Sequence, residues 1–298
     1  MVFNELLILP FDHRGSLLKK LFGIEGRKPT EAEAKEYAEL KEMVYKGFEK
    51  ALEKGVPKEK SAILVDEEYG AWILRDAQKK GIITACPVEK SGQDEFDFEY
   101  KDWELHIQKM NPALVKALVR FNPEGDKETN ERQFERLKRL NDFLKKTQRP
   151  FLFELLVPAT QGQMEKAGSK HNYDSSLRPS LMVETIRLLQ ENGIEPDVWK
   201  LEGVDKEQDA RALVTQVQSG GRKAGIITLG RGEDKEKVRE WLKVGAGISG
   251  IIGFAVGRTV FWDAMKGLKE GKLTHEQAVE LVADTYKEFV DLWQEQKS

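Results

Sequence analysis

Short apolar runs alternate along the chain with longer stretches whose apolar residues recur at the helical period. The apolar runs predict eight strands, namely Glu5–Phe11, Ala62–Val65, Ile82–Pro87, Leu114–Phe121, Phe151–Val157, Asp197–Gly203, Gly225–Leu229 and Ile251–Val256. The periodic stretches predict helices over Thr30–Lys54, Tyr69–Lys80, Trp103–Met110, Lys127–Thr147, Leu181–Asn192, Asp205–Ser219, Asp234–Val244 and Val260–Leu268. Eight strand-then-helix units favour a parallel sheet that closes into a (β/α)8 barrel, the TIM barrel of the α/β class.

One further amphipathic stretch follows the eighth unit. Thr274 and Gln277 have the spacing of a capping box that opens a helix. The apolar face of this helix consists of Ala278, Leu281, Val282, Phe289 and Leu292. We expect this additional C-terminal helix to pack on the outside of the barrel or on a partner subunit. No linker or low-complexity tract interrupts the sequence, so residues 1–298 are predicted to form a single domain.

Composition and charge narrow the classes of partner. A net charge of −3 over 298 residues gives no reason to expect nucleic acid or an anionic membrane as a binding partner. The first apolar run, Leu6–Phe11, is too short for a signal sequence, and no run approaches the roughly 20 apolar residues of a membrane span. The one cysteine, Cys86, is expected to be a buried small side chain. We therefore expect a cytoplasmic protein, and homo-oligomerisation stays open.

Charged and polar residues gather within the predicted strands or directly after them. The active site of such a barrel lies at the carboxyl ends of its strands. The residues at these positions are Asp12, His13, Arg14, Asp66, Glu89, Lys90, Lys116, Arg120, Glu154, Lys200, Arg231 and Arg258.

A lysine in the middle of the sixth strand is the strongest candidate for chemistry. Alternation along the strand directs Lys200 into the barrel and Trp199 and Leu201 outward. A lysine that loses water becomes a neutral amine, which attacks ketones. Glu154 and Lys116 also lie in strands, where each needs a charged partner. The alternatives are a structural ion cluster and a lysine that reaches solvent at its strand end.

Two glycine-arginine turns indicate a phosphate site. Gly230-Arg231-Gly232 and Gly257-Arg258 each follow a strand and precede a helix. Free backbone N–H groups, helix N-termini and arginine all bind anions, and barrels commonly hold phosphate at the last two loops. The alternative is a pair of ordinary tight turns with surface arginines.

Two motifs for cofactors do not fit their required context. Gly245, Gly247 and Gly250 have the spacing of a dinucleotide-binding loop, but they precede a strand instead of following one. The four histidines are scattered, so a three-histidine zinc site would need one from a helix. We expect neither a metal nor an organic cofactor.

Several sequence strings resemble one family of enzymes. LPFDHRGSL (Leu9–Leu17), FELL (Phe153–Leu156), VWKLE (Val198–Glu202) and GFAVGR (Gly253–Arg258) resemble class I, Schiff-base aldolases of the tagatose 1,6-bisphosphate type. More similar still is the aldolase-like domain fused to the sugar kinase of bacterial myo-inositol catabolism, 5-dehydro-2-deoxygluconokinase. The strings typical of that domain are ACPVEKSGQDEFDFEY (Ala85–Tyr100), VRFNPEGD (Val119–Asp126), FELLVPAT (Phe153–Thr160) and LGRGED (Leu229–Asp234).

This resemblance implies a role for each matching residue. It places Lys200 at the imine, Glu154 at the proton-transfer glutamate and Lys116 at a second active-site lysine. It places Asp12 beside the imine carbon. The phosphate ligands that it implies are Gly230, Arg231, Gly257 and Arg258.

The sequence departs from the tagatose aldolases at two positions. His13 replaces a glutamine, and Arg120 replaces a tyrosine-like position. We assign His13, Arg14 and Arg120 to substrate binding. A cation at Arg120 leads to the hypothesis that the substrate carries a carboxylate as well as a phosphate, as 5-dehydro-2-deoxy-6-phosphogluconate does.

The sequence thus predicts a lyase that cleaves a ketose phosphate or a keto-sugar-acid phosphate through a lysine imine, with dihydroxyacetone phosphate as one product. One alternative is another Schiff-base enzyme, such as a transaldolase or an isomerase. Another is a non-catalytic sugar-phosphate-binding barrel that serves as a sensor or as the partner of a separate kinase. A polar loop, Pro158–Pro179, follows the fifth strand. Its part Gly162–Pro179 is expected either to fold over the site as a lid or to be a disordered surface segment.

Overall fold

A computed structural model describes residues 3–297, in which eight parallel strands close into a barrel. The strands are β1 (Leu6–Pro10), β2 (Ser61–Leu64), β3 (Ile83–Pro87), β4 (Leu114–Arg120), β5 (Phe151–Leu156), β6 (Val198–Glu202), β7 (Gly225–Leu229) and β8 (Ile251–Ala255). Each strand pairs with the next one along the chain, and β8 pairs with β1. The predicted (β/α)8 barrel is confirmed.

Helices surround the barrel and connect its strands. They are α1 (Gly15–Phe22), α2 (Glu31–Glu53), α3 (Glu67–Lys79), α4 (Trp103–Met110), α5 (Lys127–Lys146), α6 (Gln161–Ala167), α7 (Lys170–Asn172), α8 (Arg178–Glu191), α9 (Glu207–Val217), α10 (Lys235–Ala246), α11 (Arg258–Lys269) and α12 (His275–Lys297). A capping box of Thr30 and Glu33 opens α2, as its sequence predicts. Within residues 3–297, no helix is both long enough and apolar enough to cross a membrane.

The segment after β5 corrects the prediction of an unstructured loop. Residues Pro158–Pro179 contain α6, α7 and a turn of π-helix, Tyr173–Leu177, that continues into α8. A capping box of Thr160 and Gln163 opens α6. These helices expose most of their surface, so they lack the apolar period by which helices are predicted. The short helix α1 was also not predicted, although it buries Leu17 and Leu18.

Side chains alternate between the inside of the barrel and the layer under the helices. Val198 packs inside with Leu152 and Ile227, whereas Trp199 and Leu201 pack against the helices. Lys200 therefore points inward, as the alternation predicts. Cys86 is buried and free of any disulfide, again as predicted.

The last helix, α12, packs on the outside of the barrel against α2, α10 and α11. The hydroxyl of Tyr286 donates to the carbonyl oxygen of Leu7 at 2.8 Å. The indole N–H of Trp293 donates to Glu5 at 2.9 Å. Gly47 of α2 has no side chain, which leaves the room that Val282 fills. The helix therefore packs on the outside of the barrel, which was the first of its two predicted positions.

Candidate active site

A cavity of about 460 Å³ opens at the carboxyl ends of the strands. Its volume lies in the range typical of small-molecule binding sites. The predicted site residues in its lining are Asp12, His13, Arg14, Lys116, Arg120, Glu154, Lys200, Arg231, Gly257 and Arg258. Glu89, Glu202 and Gly232 also line it, and Gly230 does not.

Lys200, Glu154 and Lys116 form the floor of the cavity. Glu154 on β5 lies in register with Lys200 on β6, and both side chains point inward. One oxygen of Glu154 contacts the amine of Lys200 at 2.9 Å, and the other contacts Lys116 at 2.9 Å. Burial raises the pKa of Glu154, but the two lysines outweigh it and lower that pKa. Glu154 is thus a carboxylate that bridges two lysines.

Lys116 contacts three carboxyl groups. Besides Glu154, its Nζ lies 2.9 Å from Asp12 and 2.6 Å from Glu89. Burial alone would lower the pKa of Lys116, yet the surrounding carboxylates raise it well above its usual value. Burial likewise opposes the ionisation of Asp12, and Lys116 and Lys200 nevertheless lower the pKa of Asp12. Lys116 is therefore held as a charged ammonium, whereas Lys200 has a single carboxylate partner.

Glu89 is a site residue that the prediction did not assign, although its place after β3 was the available signal. It is 5% exposed, and burial raises its pKa against the opposing effects of Lys116 and Arg14. Its Oε2 atom is buried and has no hydrogen-bond partner within the described residues.

Arg14 differs from its predicted role in substrate binding. Its guanidinium donates to the carbonyl oxygen of Glu89 at 2.6 Å and to Glu99 at 3.0 Å. Through these two hydrogen bonds, Arg14 holds the loop after β3 in place. Arg14 is buried and also lines the cavity, so its assignment to substrate binding stays a prediction.

His13 is a neutral imidazole at the cavity wall. Burial lowers its pKa to about 4, with Asp12 opposing and Arg258 adding to the shift. Its Nδ1 atom has no partner among residues 3–297. The ring makes an edge contact with Phe261 of α11, with centroids 5.8 Å apart. A neutral imidazole in this position can donate a hydrogen bond to a bound molecule or accept one from it.

Arg258 provides a free positive charge at the start of α11. Its guanidinium donates to the carbonyl oxygen of Arg231 at 2.6 Å, and we find no carboxylate partner for it in the described residues. Burial lowers its pKa. Gly232, with φ of 73°, permits this contact because a Cβ there would overlap the guanidinium. Gly257 similarly lies against the carbonyl of Pro10. The first-turn N–H groups of α11 add a second anion-binding feature.

Arg231 and Gly230 are less available than predicted. Arg231 contacts Glu202 at 3.0 Å and Asp174 at 2.9 Å, so two carboxylates neutralise its charge. The N–H of Gly230 donates to Ala255 at 3.2 Å, which extends the pairing of β7 with β8. The N–H of Gly230 is thus used within the sheet, whereas Gly232 of the same turn lines the cavity.

Arg120 lies at the end of β4, four strands around the barrel from β8. It is half-buried and donates to the carbonyl oxygen of Gln93. Arg120 and Arg258 thus place charge on opposite sides of the cavity, with Lys200 on β6 between them. Among residues 3–297, no group of His, Cys, Asp and Glu side chains has the arrangement of a metal site.

Comparisons with known proteins agree with this architecture. The family model described as "Uncharacterized protein conserved in bacteria (DUF2090)" matches residues 1–297. The chain is 25% identical over 201 residues to tagatose 1,6-diphosphate aldolase 1 of Streptococcus mutans serotype c, and the match covers 65% of this chain and 57% of that relative.

A solved structure shares the fold over nearly the whole chain. It is fructose-bisphosphate aldolase from Plasmodium falciparum, in complex with TRAP and a small-molecule inhibitor. The TM-score is 0.70 at 12% identity, and the match covers 98% of this chain and 91% of that one. This likeness shows the shared barrel fold.

Proposed function

The chain belongs to the bacterial family described as DUF2090, and on that premise we propose that it is a class I aldolase, with an imine on Lys200 as its intermediate. The observation that carries this proposal is the position of the Lys200 amine. It lies inside the barrel, 2.9 Å from Glu154, at the floor of a cavity whose wall holds the cation Arg258. An amine, an adjacent proton-transfer group and an anion anchor are the parts that this chemistry requires.

The geometry suggests a division of roles. Lys200, after it gives a proton to Glu154, attacks the substrate ketone. Glu154 then returns a proton to the departing hydroxyl, which leaves as water and produces an iminium ion. Lys116 stays charged and holds Asp12 in its ionised form. Asp12 accepts the proton of the substrate hydroxyl while the carbon–carbon bond breaks, and the electrons move to the iminium nitrogen.

Two free arginines indicate the class of substrate. Arg258, with Gly232, Gly257 and the start of α11, would bind a phosphate. Arg120 on the opposite wall would bind a second anionic group at the other end of the substrate. We favour a carboxylate there, and therefore a keto-sugar-acid phosphate such as 5-dehydro-2-deoxy-6-phosphogluconate. The likeness to a tagatose diphosphate aldolase makes a ketose bisphosphate the competing substrate.

The resemblance to the kinase-fused domain also favours a keto-sugar-acid phosphate as the substrate. In that case the protein would receive its substrate from a sugar kinase. We expect dihydroxyacetone phosphate as the three-carbon product.

Borohydride trapping tests the proposal. The protein is reduced in the presence of dihydroxyacetone phosphate, a ketose bisphosphate or a keto-sugar-acid phosphate, and its peptides are mapped by mass. We expect an adduct on Lys200, none in Lys200→Met, and an unchanged adduct in Lys90→Met, which removes an exposed lysine at the cavity mouth. Turnover of the two larger substrates is then compared. Thermal stabilisation by these ligands with no adduct would contradict the proposal and indicate a binding barrel without turnover.

A further inference from the structure

The floor of the cavity contains more acids than lysines. Asp12, Glu89 and Glu154 all contact Lys116, whereas Glu154 is the one carboxyl group among residues 3–297 that pairs with Lys200. If all three carboxyl groups were ionised, the buried cluster would carry a net negative charge. Uncompensated charge is costly away from water, so one of the three carboxyl groups is expected to hold a proton.

Glu89 is the carboxyl group best placed to hold it. Asp12 and Glu154 are acceptors for the lysines, and the pKa of each is lowered. Burial raises the pKa of Glu89 instead. Glu89 uses Oε1 to accept from Lys116 at 2.6 Å, which leaves Oε2 for a proton. Two like groups beside one cation commonly divide in this way, with one ionised and one neutral.

The surroundings of Glu89 leave this oxygen unpaired among the described residues, in a side chain beside the cavity. Oε2 is buried, has no partner within the part of the chain that the structure describes, and belongs to a residue that lines the cavity. Arg14 fixes the backbone of Glu89 through its carbonyl oxygen. A protonated oxygen at this position is an acid without a protein acceptor, and a bound substrate would provide the acceptor.

We propose that Glu89 is the catalytic acid that protonates the enamine carbon after the carbon–carbon bond has broken. This inference rests on the function proposed above. The enamine supplies the electron pair of the new C–H bond, and its nitrogen becomes an iminium ion again. Water hydrolyses this ion to the ketone, and the remaining proton returns through Glu154 to the Lys200 amine, which regains its starting protonation state. Glu89 is left as a carboxylate.

The proton balance closes through Lys116. Asp12 holds the proton that it accepted from the substrate hydroxyl, and Lys116 contacts both Asp12 and Glu89. Lys116 gives a proton to Glu89 and takes one from Asp12. This exchange restores all three groups without any outside acid, and Lys116 is an ammonium both before and after it.

The test uses dihydroxyacetone phosphate as the probe and the substitutions Glu89→Gln and Asp94→Asn. Glutamine matches a protonated carboxyl in size and charge but has no transferable proton. Two measurements are made on each protein: the borohydride adduct on Lys200, and exchange of the carbon-bound hydrogen of the probe with D₂O, followed by NMR. Asp94 is an exposed acid on the same loop and serves as the matched control.

We expect Glu89→Gln to form the adduct and to lose exchange by about 100-fold or more, the usual effect of general acid–base catalysis. Asp94→Asn should retain both. Normal exchange in Glu89→Gln would overturn the inference, because it would make Glu89 only a positioning residue for Lys116. Loss of the adduct in Glu89→Gln would also overturn it, since Glu89 would then act before the enamine forms. Absence of an adduct in the unaltered protein would instead refute the proposed function itself.

Discussion

At the scale of single residues, neighbours give two lysines different properties. Lys116 has three carboxyl partners and an elevated pKa, whereas Lys200 has one partner, Glu154. The surrounding charges therefore favour the ammonium form of Lys116, which is why we propose Lys200 as the nucleophile. The same reasoning separates the arginines, because carboxylates neutralise Arg14 and Arg231 while Arg258 stays free to bind an anion.

His13 makes a prediction at this scale about stability and pH. The folded protein holds its pKa near 4, below the ordinary value of 6.5. Between these values the unfolded chain binds the proton first, so stability falls as pH falls from 6.5 towards 4. We expect His13 to account for about 2 kcal/mol of the stability lost between about pH 7.5 and about pH 5.

Urea unfolding of the unaltered protein, His13→Gln and His275→Gln at both pH values measures this loss. His13→Gln should show the smaller drop. His275 is exposed, and its variant should behave as the unaltered protein does. An equal drop in all three proteins would show that other groups control stability in this range.

At the scale of elements, the loop from β7 to α10 and the start of α11 form one unit. Arg258 from α11 lies against Gly232 and donates to the carbonyl of Arg231 in that loop. Arg231 in turn contacts Asp174 in the helical segment after β5. These contacts connect the loops after β5, β7 and β8. We therefore expect a change in one of these loops to shift Arg258 at the proposed phosphate site.

Comparing Gly232→Ala with Gly271→Ala should distinguish the effect of displacing Arg258 from the effect of backbone strain. Both Gly232 (φ of 73°) and Gly271 (φ of 67°) have left-handed backbones, but a Cβ at Gly271 would meet no neighbouring atom. Each alanine should therefore cost about 1 kcal/mol of stability. Only Gly232→Ala should also displace Arg258, and we expect it to weaken binding of inorganic phosphate about tenfold, measured by calorimetry. Equal phosphate affinity in both variants would count against the assigned phosphate site.

At the scale of the whole molecule, α12 covers the seam between the first and the last strand. It packs on α2, α10 and α11, and Tyr286 and Trp293 donate to groups at or beside β1. The chain ends are thereby joined on one side of the barrel. The extra helix is part of the barrel's packing, and we expect stability to depend on it.

Trp293→Ala tests this dependence. Trp293 is fully buried, so its removal should cost about 3–5 kcal/mol of unfolding free energy. Leu281 lies on the same helix and is 37% exposed, so Leu281→Ala should cost much less, about 1 kcal/mol or below. Unfolding in urea, followed by circular dichroism, compares the two variants. Similar costs would mean that α12 contributes little to the stability of the barrel.

The order of strands and helices could be predicted because it depends on local periodicity. Alternation along β6 directed Lys200 inward, and the rule that parallel strands share their carboxyl ends brought Lys116, Glu154 and Asp12 together. The helices after β5 were missed because exposed helices have no apolar period. The capping pair Thr160 and Gln163 was the one local signal for them.

By itself, the sequence determined the fold class and most of the charged residues that surround the cavity, since both follow from patterns within a strand and its flanking turns. Tertiary structure alone decided the partners of each charge. Glu89 joined Lys116, Glu202 neutralised Arg231, and Gly232 instead of Gly230 contacted Arg258. Such pairings depend on the angle around the barrel and the path of each loop. Contacts between residues far apart in the chain set both, and no local pattern encodes them.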